Sequence, residues 1–287
     1  MYSYTAYELG IHSELPLPGL IAAKDISVDV VISQRRFDKS EESAPRNSNF
    51  FVGVTTGIGT FLVRSGEHIV VDPFPGVDDS LVRTILLGPI MAVLLRQRGL
   101  AVLHASGVGV NGGAIAFLGQ SGWGKSTLAE AFYERGYGVV TDDLMAIRVD
   151  GSYPHVSPGY PSIKLFPDAA VFLGCDIGAS EPLHSQTEKR IHFAASRFPQ
   201  NALPLQQIYV LGVGERAEIE ALEPREAFWE LVRNSRAVSL LRDPDSRHKH
   251  LHHCARIAAD VPTFRLRRRL ALSALPELIG VLEENFA

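Results

Sequence analysis

The sequence predicts an α/β fold whose N-terminal part is rich in β-strands. Segments of alternating apolar and polar residues, typical of half-buried strands, recur before residue 85. A hairpin, a glycine-rich loop and a helix then follow one another between residues 100 and 135, and strands alternate with helices in the C-terminal third. We therefore expect a β-rich subdomain over 1–85 and a second unit over 86–287, built around the glycine-rich loop and closed by helices.

The composition fits a globular protein with a sizeable core. The 287 residues are 46% hydrophobic and 21% charged. The formal net charge of −4 does not indicate nucleic-acid binding. The longest apolar run, 85–95, is shorter than the roughly 20 residues that a membrane span needs, so no membrane partner is expected. Two cysteines and an N-terminus without a signal-peptide pattern indicate a cytoplasmic protein.

The N-terminal elements follow from hydrophobic alternation. Strands are predicted at 27–32, 61–64 and 68–72, where apolar residues recur at every second position. Residues 38–49 are polar and include proline and asparagine, which is typical of a loop. The apolar helical pattern at 81–98 ends in two arginines followed by Gly99, so a helix is expected to end there.

The central elements lead into and out of the glycine-rich loop. Strands are predicted at 100–110 and 114–118, joined by Asn111-Gly112, a pair that favours the positive φ angles of a tight hairpin turn. A helix at 126–135 and a strand at 137–141 follow. Farther along, the pattern predicts strands at 205–212 and 263–266, and helices at 224–234, 246–259 and 272–285.

Residues 119–127 match the phosphate-loop pattern G-x-x-x-x-G-K-[ST]. Glycines allow successive backbone N–H groups to converge on one anion, and the following helix N-terminus favours negative charge there. We expect the loop to bind ATP or another nucleoside triphosphate, with Lys125 on the β- and γ-phosphates and Ser126 on Mg²⁺. The expected nucleotide-binding residues are Gly119, Ser121, Gly122, Trp123, Gly124, Lys125, Ser126 and Thr127. A glycine-rich turn without a ligand is the alternative.

Two aspartates and a histidine accompany this loop. Asp142 and Asp143 follow the strand directly after the phosphate helix, where carboxylates can hold Mg²⁺ or accept a proton from an attacking hydroxyl. A capping pair at the surface is the alternative. His104 precedes the hairpin; it is a candidate for bonding a phosphate or tuning Asp143, or else a structural histidine.

Together these segments, 104–127 and 135–143, resemble the HPr kinase/phosphorylase family and, more distantly, the phosphate-binding core of phosphoenolpyruvate carboxykinase. The resemblance implies an α/β phosphate-loop core of HPr kinase type. It also implies that Asp143 accepts the proton of a substrate hydroxyl, that His104 assists, that Lys125 contacts phosphate and that Ser126 binds metal. Asp142 is expected at the metal as well.

The remaining sequence departs from the HPr enzymes. The Arg-Gly-x-Gly segment that follows the aspartates in that family is replaced by 157–168, where Asp168 is a candidate for the missing metal carboxylate. Segments at 7–18, 103–106, 159–165 and 188–190 resemble the HPr-kinase-like enzymes of lasso-peptide gene clusters. This resemblance implies phosphorylation of the C-terminal serine of a precursor peptide.

Several other side chains are candidates for supporting roles. Lys164, Lys189 and Arg190 could bind phosphate charge, although isolated basic residues are usually solvated. The histidines between His248 and His253, together with Cys254, suggest a metal by composition, but their spacing matches no zinc pattern and a surface helix is the preferred interpretation. Trp123 could flank the nucleotide or pack below it.

We therefore expect a Mg²⁺-dependent, ATP-using serine kinase whose partner is a peptide or small protein with an acceptor serine. The oligomeric state, including a homo-oligomer, is left open. An HPr serine kinase/phosphorylase and a nucleotide-binding regulatory module without transferase activity are the alternatives. A carboxykinase fits least well, because no second set of metal ligands is evident.

Overall fold

The computed structural model describes residues 1–38, 41, 47–175, 182–238, 241 and 243–286. Two β-sheets, each covered by helices, make up most of this structure, which confirms the α/β class and the β-rich N-terminal part. The loop predicted at 38–49 lies partly outside the described residues. Within the described part of the chain, no helix combines the length and apolar character needed to cross a bilayer.

The first sheet is formed by the N-terminal strands in the order β3-β1-β2-β4-β7-β6-β5. The strands β2, β4 and β7 run parallel, and the other neighbours are antiparallel. The bounds are β1 Tyr2–Ala6, β2 Leu9–Ser13, β3 Ile21–Ala22, β4 Val30–Gln34, β5 Phe50–Thr55, β6 Gly59–Arg64 and β7 His68–Pro73. The predicted strand at 27–32 therefore begins only at Val30.

One helical stretch covers this sheet but is not a uniform α-helix. Helix α1 (Asp79–Ile85) continues through a π-helical turn, Leu86–Ile90, into α2 (Met91–Gln97). The turn contains Pro89, which lacks an N–H and therefore cannot donate a helical hydrogen bond. Its buried side chains pack with those of the first sheet in one core. The subdomain boundary predicted at residue 85 stays a prediction, and it falls within this stretch.

The second sheet carries the glycine-rich loop, and its strands run in the order β11-β9-β10-β16-β13-β12-β8. Strand β16 is long enough to pair with β13 at its start and with β18 farther along, and β17 pairs with β18. Strands β14 and β15 form a separate antiparallel pair. The bounds are β8 Ala101–Leu103, β9 Ala105–Val110, β10 Gly113–Leu118, β11 Gly138–Thr141, β12 Met145–Arg148, β13 His155–Ser157, β14 Ser162–Leu165, β15 Arg190–Phe193, β16 Leu203–Val213, β17 Glu218–Ala221 and β18 Thr263–Arg268.

Helices cover both faces of this second sheet. Alternate residues of β10 point to opposite sides, so Ala116 and Leu118 pack in one core and Ile115 and Phe117 in another. The helices are α3 Lys125–Glu134, α4 Pro167–Leu173, α5 Pro224–Arg233, α6 Pro244–Asp260 and α7 Leu275–Phe286, with short 3₁₀ turns at Ala195–Arg197 and Leu272–Ala274. Helices α3 and α7 lie on one face, and α5 and α6 lie on the other.

The hairpin before the loop is confirmed, but its first strand is not continuous. Asn111 and Gly112 have φ angles of 49° and 78°, and Val110 pairs with Gly113. The prediction of one continuous strand at 100–110 is wrong in one respect, because the chain forms two strands, β8 and β9, separated at His104. At the break, a tertiary contact replaces sheet pairing: the backbone N–H of His104 donates to the carbonyl oxygen of Asn234.

Candidate active site

The glycine-rich loop joins β10 to α3, as the sequence predicts. Gly122 and Gly124 have φ angles of 82° and 77°, in the left-handed region that side chains disfavour, and Gly124 caps the helix. This backbone turns the loop so that helix α3 begins with Lys125 at the edge of a cavity of about 240 Å³. The first turn of α3 directs its unpaired N–H groups toward this end of the helix, which favours an anion.

Lys125 folds over the loop. Its ammonium group donates to the carbonyl oxygens of Gly119 and Gln120, at 2.8 and 3.0 Å. Burial lowers its pKa to about 8, against the opposing charges of Asp142 and Asp143. The charge of Lys125 is thus held beside the loop in a position where few water molecules compete for it.

Asp142 is almost completely buried and fixed by three donors. Its Oδ1 accepts from the hydroxyls of Ser106 and Ser126, at 2.6 and 2.9 Å, and its Oδ2 accepts from the backbone N–H of Lys164 at 3.0 Å. Only 1% of the residue is exposed. The Ser126 hydroxyl and this carboxylate therefore present hard oxygen atoms at one point of the cavity wall, the donor type that Mg²⁺ prefers.

Asp143 has a left-handed backbone, with φ of 74°. Its carboxylate lies 3.0 Å from Lys164 Nζ, 2.9 Å from His104 Nδ1 and 3.0 Å from Arg236 Nη2. Burial raises the pKa of Asp143, but Lys164, His104 and Arg236 together hold it well below its usual value. The group is therefore an anion at neutral pH.

Lys164 links the two aspartates through two different groups. Its backbone N–H bonds Asp142, and its side chain pairs with Asp143. Burial lowers the pKa of the ammonium group, whereas Tyr160 and both aspartates raise it, and the net shift is upward. Lys164 is therefore positively charged and is held in place on β14 by its bonds to both aspartates.

His104 occupies the break between β8 and β9, and its Nδ1 atom meets three polar groups. It lies 2.7 Å from Arg236 Nη2, 2.9 Å from Asp143 Oδ1 and 3.1 Å from the Asp143 carbonyl oxygen. An unprotonated Nδ1 accepts from the guanidinium group, whereas a protonated Nδ1 donates to Asp143. One ring nitrogen of His104 thus contacts both Arg236 and Asp143.

The structure brings most of the predicted site residues to one cavity. Its lining residues include Ser121, Gly122, Gly124, Lys125, Ser126, Thr127, Asp142, Asp143, His104, Lys164 and Lys189. Gly119 and Trp123 line an adjoining cavity of about 770 Å³, which shares His104 and Arg236 with the first. Lys189 lies 4.9 Å from the centre of the Phe166 ring.

Two predicted candidates lie elsewhere. Arg190 begins β15 and pairs with Leu165, and it is absent from the described residues that line the phosphate-loop cavity. Asp168 lies in the first turn of α4, where it lines a neighbouring cavity with Trp123. Its carboxylate accepts from the N–H of Ala169. Asp168, like Arg190, is absent from the described residues that line the phosphate-loop cavity.

The histidine-rich segment forms the middle of α6. His248 and His252 are exposed, whereas His250 and Cys254 are buried, with 3.8 Å between the thiol sulfur and Nδ1. Arg96 lies 3.3 Å from the same nitrogen. Burial and Arg96 lower the pKa of His250 to about 4, so this ring is neutral at physiological pH and part of the protein core.

Sequence reasoning missed two members of the site. Arg236 carries no local motif, and it reaches Asp143 from 93 positions away in the chain. Ser106 belongs to β9, and no local pattern marks its contact with Asp142, 36 positions away in the chain.

The phosphate-loop pattern, a buried carboxylate that bonds Ser126 and a second carboxylate bound by cations thus meet at one cavity. No family model matches the chain. Over 54 residues, 19% of its length, the chain is 43% identical to an HPr kinase/phosphorylase from Chlorobium phaeovibrioides, and the match spans 16% of that protein. This similarity confirms the predicted resemblance to the HPr kinase family, and the closer likeness to lasso-peptide enzymes stays a prediction.

Solved structures also align with the chain. The Hpr(Ser) kinase/phosphatase from Coxiella burnetii aligns with 64% of this chain and 88% of its own, at 13% identity and a TM-score of 0.36.

Proposed function

We propose that the protein is a Mg²⁺-dependent kinase that transfers the γ-phosphoryl group of ATP, or another nucleoside triphosphate, to a serine hydroxyl of a peptide or small protein. One observation carries the proposal. The ionised carboxylate of Asp143 lines the same cavity as Lys125 and Ser126, the two residues that the phosphate-loop pattern assigns to phosphate and metal.

The donor would be held by the loop and its lysine. The N–H groups at the start of α3 face an anion, and the Lys125 ammonium group can exchange its two carbonyl contacts for phosphate oxygens. Lys189, on the cavity wall, would add a second positive charge. The helix N–H groups are fixed by the fold before the reaction, so the main rearrangement would be that of the Lys125 ammonium group.

The Ser126 hydroxyl and the Asp142 carboxylate fit Mg²⁺, because both are hard oxygen donors and lie 2.9 Å apart. When bound, Mg²⁺ neutralises charge on the phosphate oxygens during transfer. The hydroxyl of Ser106 and the N–H of Lys164 hold the Asp142 carboxylate in one orientation. The chain thereby fixes the metal-binding oxygens in advance.

Asp143 would orient the acceptor hydroxyl and take its proton. Lys164, His104 and Arg236 fix the carboxylate and keep it ionised. In a loose transition state the hydroxyl proton is lost late, so orientation and charge contribute more than base strength. The low pKa of Asp143 is compatible with this role, and the surrounding cations would stabilise charge on the transferred group.

For the acceptor, we propose the C-terminal serine of a lasso precursor peptide, on the basis of the sequence resemblances at 7–18 and 159–165. The second candidate is HPr, favoured by the 54-residue similarity to an HPr kinase/phosphorylase. A nucleotide-binding regulatory protein without transferase activity is the third. A cytoplasmic location is part of the same proposal.

Intact-mass analysis distinguishes these candidates. The protein is incubated with Mg-ATP and either a lasso precursor peptide or HPr, and the product is fragmented to locate the phosphate. A gain of one phosphoryl group on the C-terminal serine of the peptide supports the first candidate, and a gain on HPr alone supports the second. Nucleotide binding without transfer to either acceptor would contradict the kinase proposal.

Replacing Asp143 with asparagine tests the residue that carries the proposal. We expect Asp143→Asn to bind nucleotide nearly as the unaltered protein does and to lose about 10²- to 10⁴-fold in transfer rate. Asp25→Asn, at an exposed position, is the matched control and should retain the full rate. Transfer by Asp143→Asn at the unaltered rate would show that another group orients the acceptor.

A further inference from the structure

A second cluster of chemically reactive side chains lies beside α3, the helix that follows the phosphate loop. Glu130, Cys175 and His192 come from three separate elements: α3, the segment after α4, and β15. One ligand atom of each lies within 4.8 Å of the others. Among the residues that the structure describes, this is the one place where three or more such side chains converge so closely.

The contacts within the cluster are short. The Cys175 thiol lies 3.3 Å from Glu130 Oε1, and His192 Nδ1 lies 2.8 Å from Glu130 Oε2. Ligands around a tetrahedral zinc ion are separated by roughly 3.3 to 3.8 Å, given metal–ligand bonds of about 2.0 to 2.3 Å. The three atoms lie within 4.8 Å of one another, so side-chain shifts on the order of 1 Å would bring them to binding positions.

The Glu130 carboxylate is buried and lies beside His192 and Cys175, two side chains that can also bind a metal ion. The Glu130 side chain has no exposed surface, and a buried carboxylate is costly unless it is paired. Its one ion-pair partner among the described residues is His192, which is charged only when protonated.

We propose that Glu130, Cys175 and His192 form a binding site for Zn²⁺ or a similar transition-metal ion. One thiolate, one imidazole and one carboxylate are a zinc-type donor set, whereas Mg²⁺ prefers oxygen alone. His192 is 22% exposed, which leaves a path for the ion and room for water as a fourth ligand. Glu130 lies one helical turn after Ser126 on α3, and none of the three residues is among the described residues that line the phosphate-loop cavity.

A metal ion at this site would join the phosphate-loop helix to the strand pair that positions Lys164. Glu130 lies on the helix that Lys125 begins, and His192 lies on β15, whose residue Ile191 pairs with Lys164 of β14. The ion would therefore fix the spacing between the phosphate lysine and the lysine bound to both aspartates. The protein would be more stable with the metal than without it.

Cobalt(II) provides a direct test, because a thiolate bound to cobalt gives a charge-transfer band in the near ultraviolet. The full-length protein is stripped with a chelator and titrated with Co²⁺, then with Zn²⁺ in competition. The chain has two cysteines, so the sulfur can be assigned by substitution. We expect one equivalent of Co²⁺ with the band present, loss of the band in Cys175→Ala, and retention in the matched control Cys254→Ala.

Affinity and folding readouts complete the test. His192→Ala should weaken Zn²⁺ binding by at least about tenfold, a change of about 1.4 kcal/mol. His252→Ala, on the exposed face of α6, should leave the affinity unchanged. Circular dichroism of each variant reports whether it folds, and Glu130→Gln keeps the shape of the buried side chain. The proposal is wrong if the unaltered protein lacks the thiolate band, if Cys175→Ala retains it, or if only His252→Ala reduces binding.

Discussion

The ion pair between Lys164 and Asp143 can be measured as a coupling energy. We consider Lys164→Met, which removes the ammonium group and keeps most of the side-chain volume. At the observed separation of 3.0 Å, the Coulomb attraction is about 5 to 6 kcal/mol for an effective dielectric constant of about 20, before desolvation is subtracted. Removing one partner of a buried pair typically costs about 3 to 5 kcal/mol, because the other charge is left unpaired.

Asp143 would not be left entirely without partners. Arg236 and His104 remain within 3.0 Å, and the Asp143 side chain is 27% exposed, so water replaces part of the lost attraction. We therefore expect Lys164→Met to lower the free energy of unfolding by about 2 to 3 kcal/mol, near the lower limit for a broken buried pair. In the background of Asp143→Asn, where no carboxylate is orphaned, the same substitution should cost less than about 1 kcal/mol.

A double-mutant cycle isolates this pair. The free energies of unfolding of the unaltered protein, both single variants and the double variant are obtained from urea denaturation, and we expect a coupling energy of about 1 to 2 kcal/mol. Lys24→Met removes an exposed lysine and should change stability by less than about 0.5 kcal/mol. A Lys164–Asp143 coupling energy below about 0.5 kcal/mol would refute the argument.

The same pair makes a prediction about acid stability. Because the pKa of Asp143 is lowered in the folded protein, its contribution is fully present above the unfolded-state pKa of about 3.9 and is lost as the pH falls toward the folded-state pKa. Lys164→Met raises the folded-state pKa. The stability that Asp143 contributes above the unfolded-state pKa should therefore be smaller in this variant than in the unaltered protein.

Two further predictions concern the phosphate lysine and a close backbone contact. Burial lowers the pKa of Lys125 to about 8, so nucleotide affinity measured by calorimetry should fall as the pH rises above that value. The variant Lys125→Met should bind nucleotide weakly and without this pH dependence. If its affinity still falls with pH in the same way, the titration belongs to another group. A Cβ atom at Gly10 would lie 1.9 Å from the carbonyl oxygen of Ser27, so Gly10→Ala should destabilise the protein by about 1 to 3 kcal/mol in thermal or urea unfolding. In the control Gly280→Ala, on α7, the added Cβ meets no atom within 4 Å, and the substitution should stabilise the protein by about 0.5 to 1 kcal/mol. Equal effects of the two substitutions would contradict the close contact at Gly10.

The sequence by itself determined the phosphate loop, the hairpin before it and the strand that presents the two aspartates. Each of these features depends on residues close together in the chain: glycines at fixed offsets, Asn111-Gly112 at a tight turn, and an apolar strand that ends in Asp142. Backbone conformation and hydrophobic alternation are properties of a few consecutive residues, so one sequence is enough to predict them. The α/β class follows from the same local patterns.

Only the tertiary structure decided which side chains meet at Asp143 and at Glu130. Arg236 lies 93 positions from Asp143, and His192 lies 62 positions from Glu130. Their contacts depend on strand order and on the packing of helices against the sheet, which no short pattern encodes. The break at His104 has the same origin, because the carbonyl group that accepts its N–H belongs to Asn234, at the end of α5. Long-range packing thus converts separate charged residues into one electrostatic site.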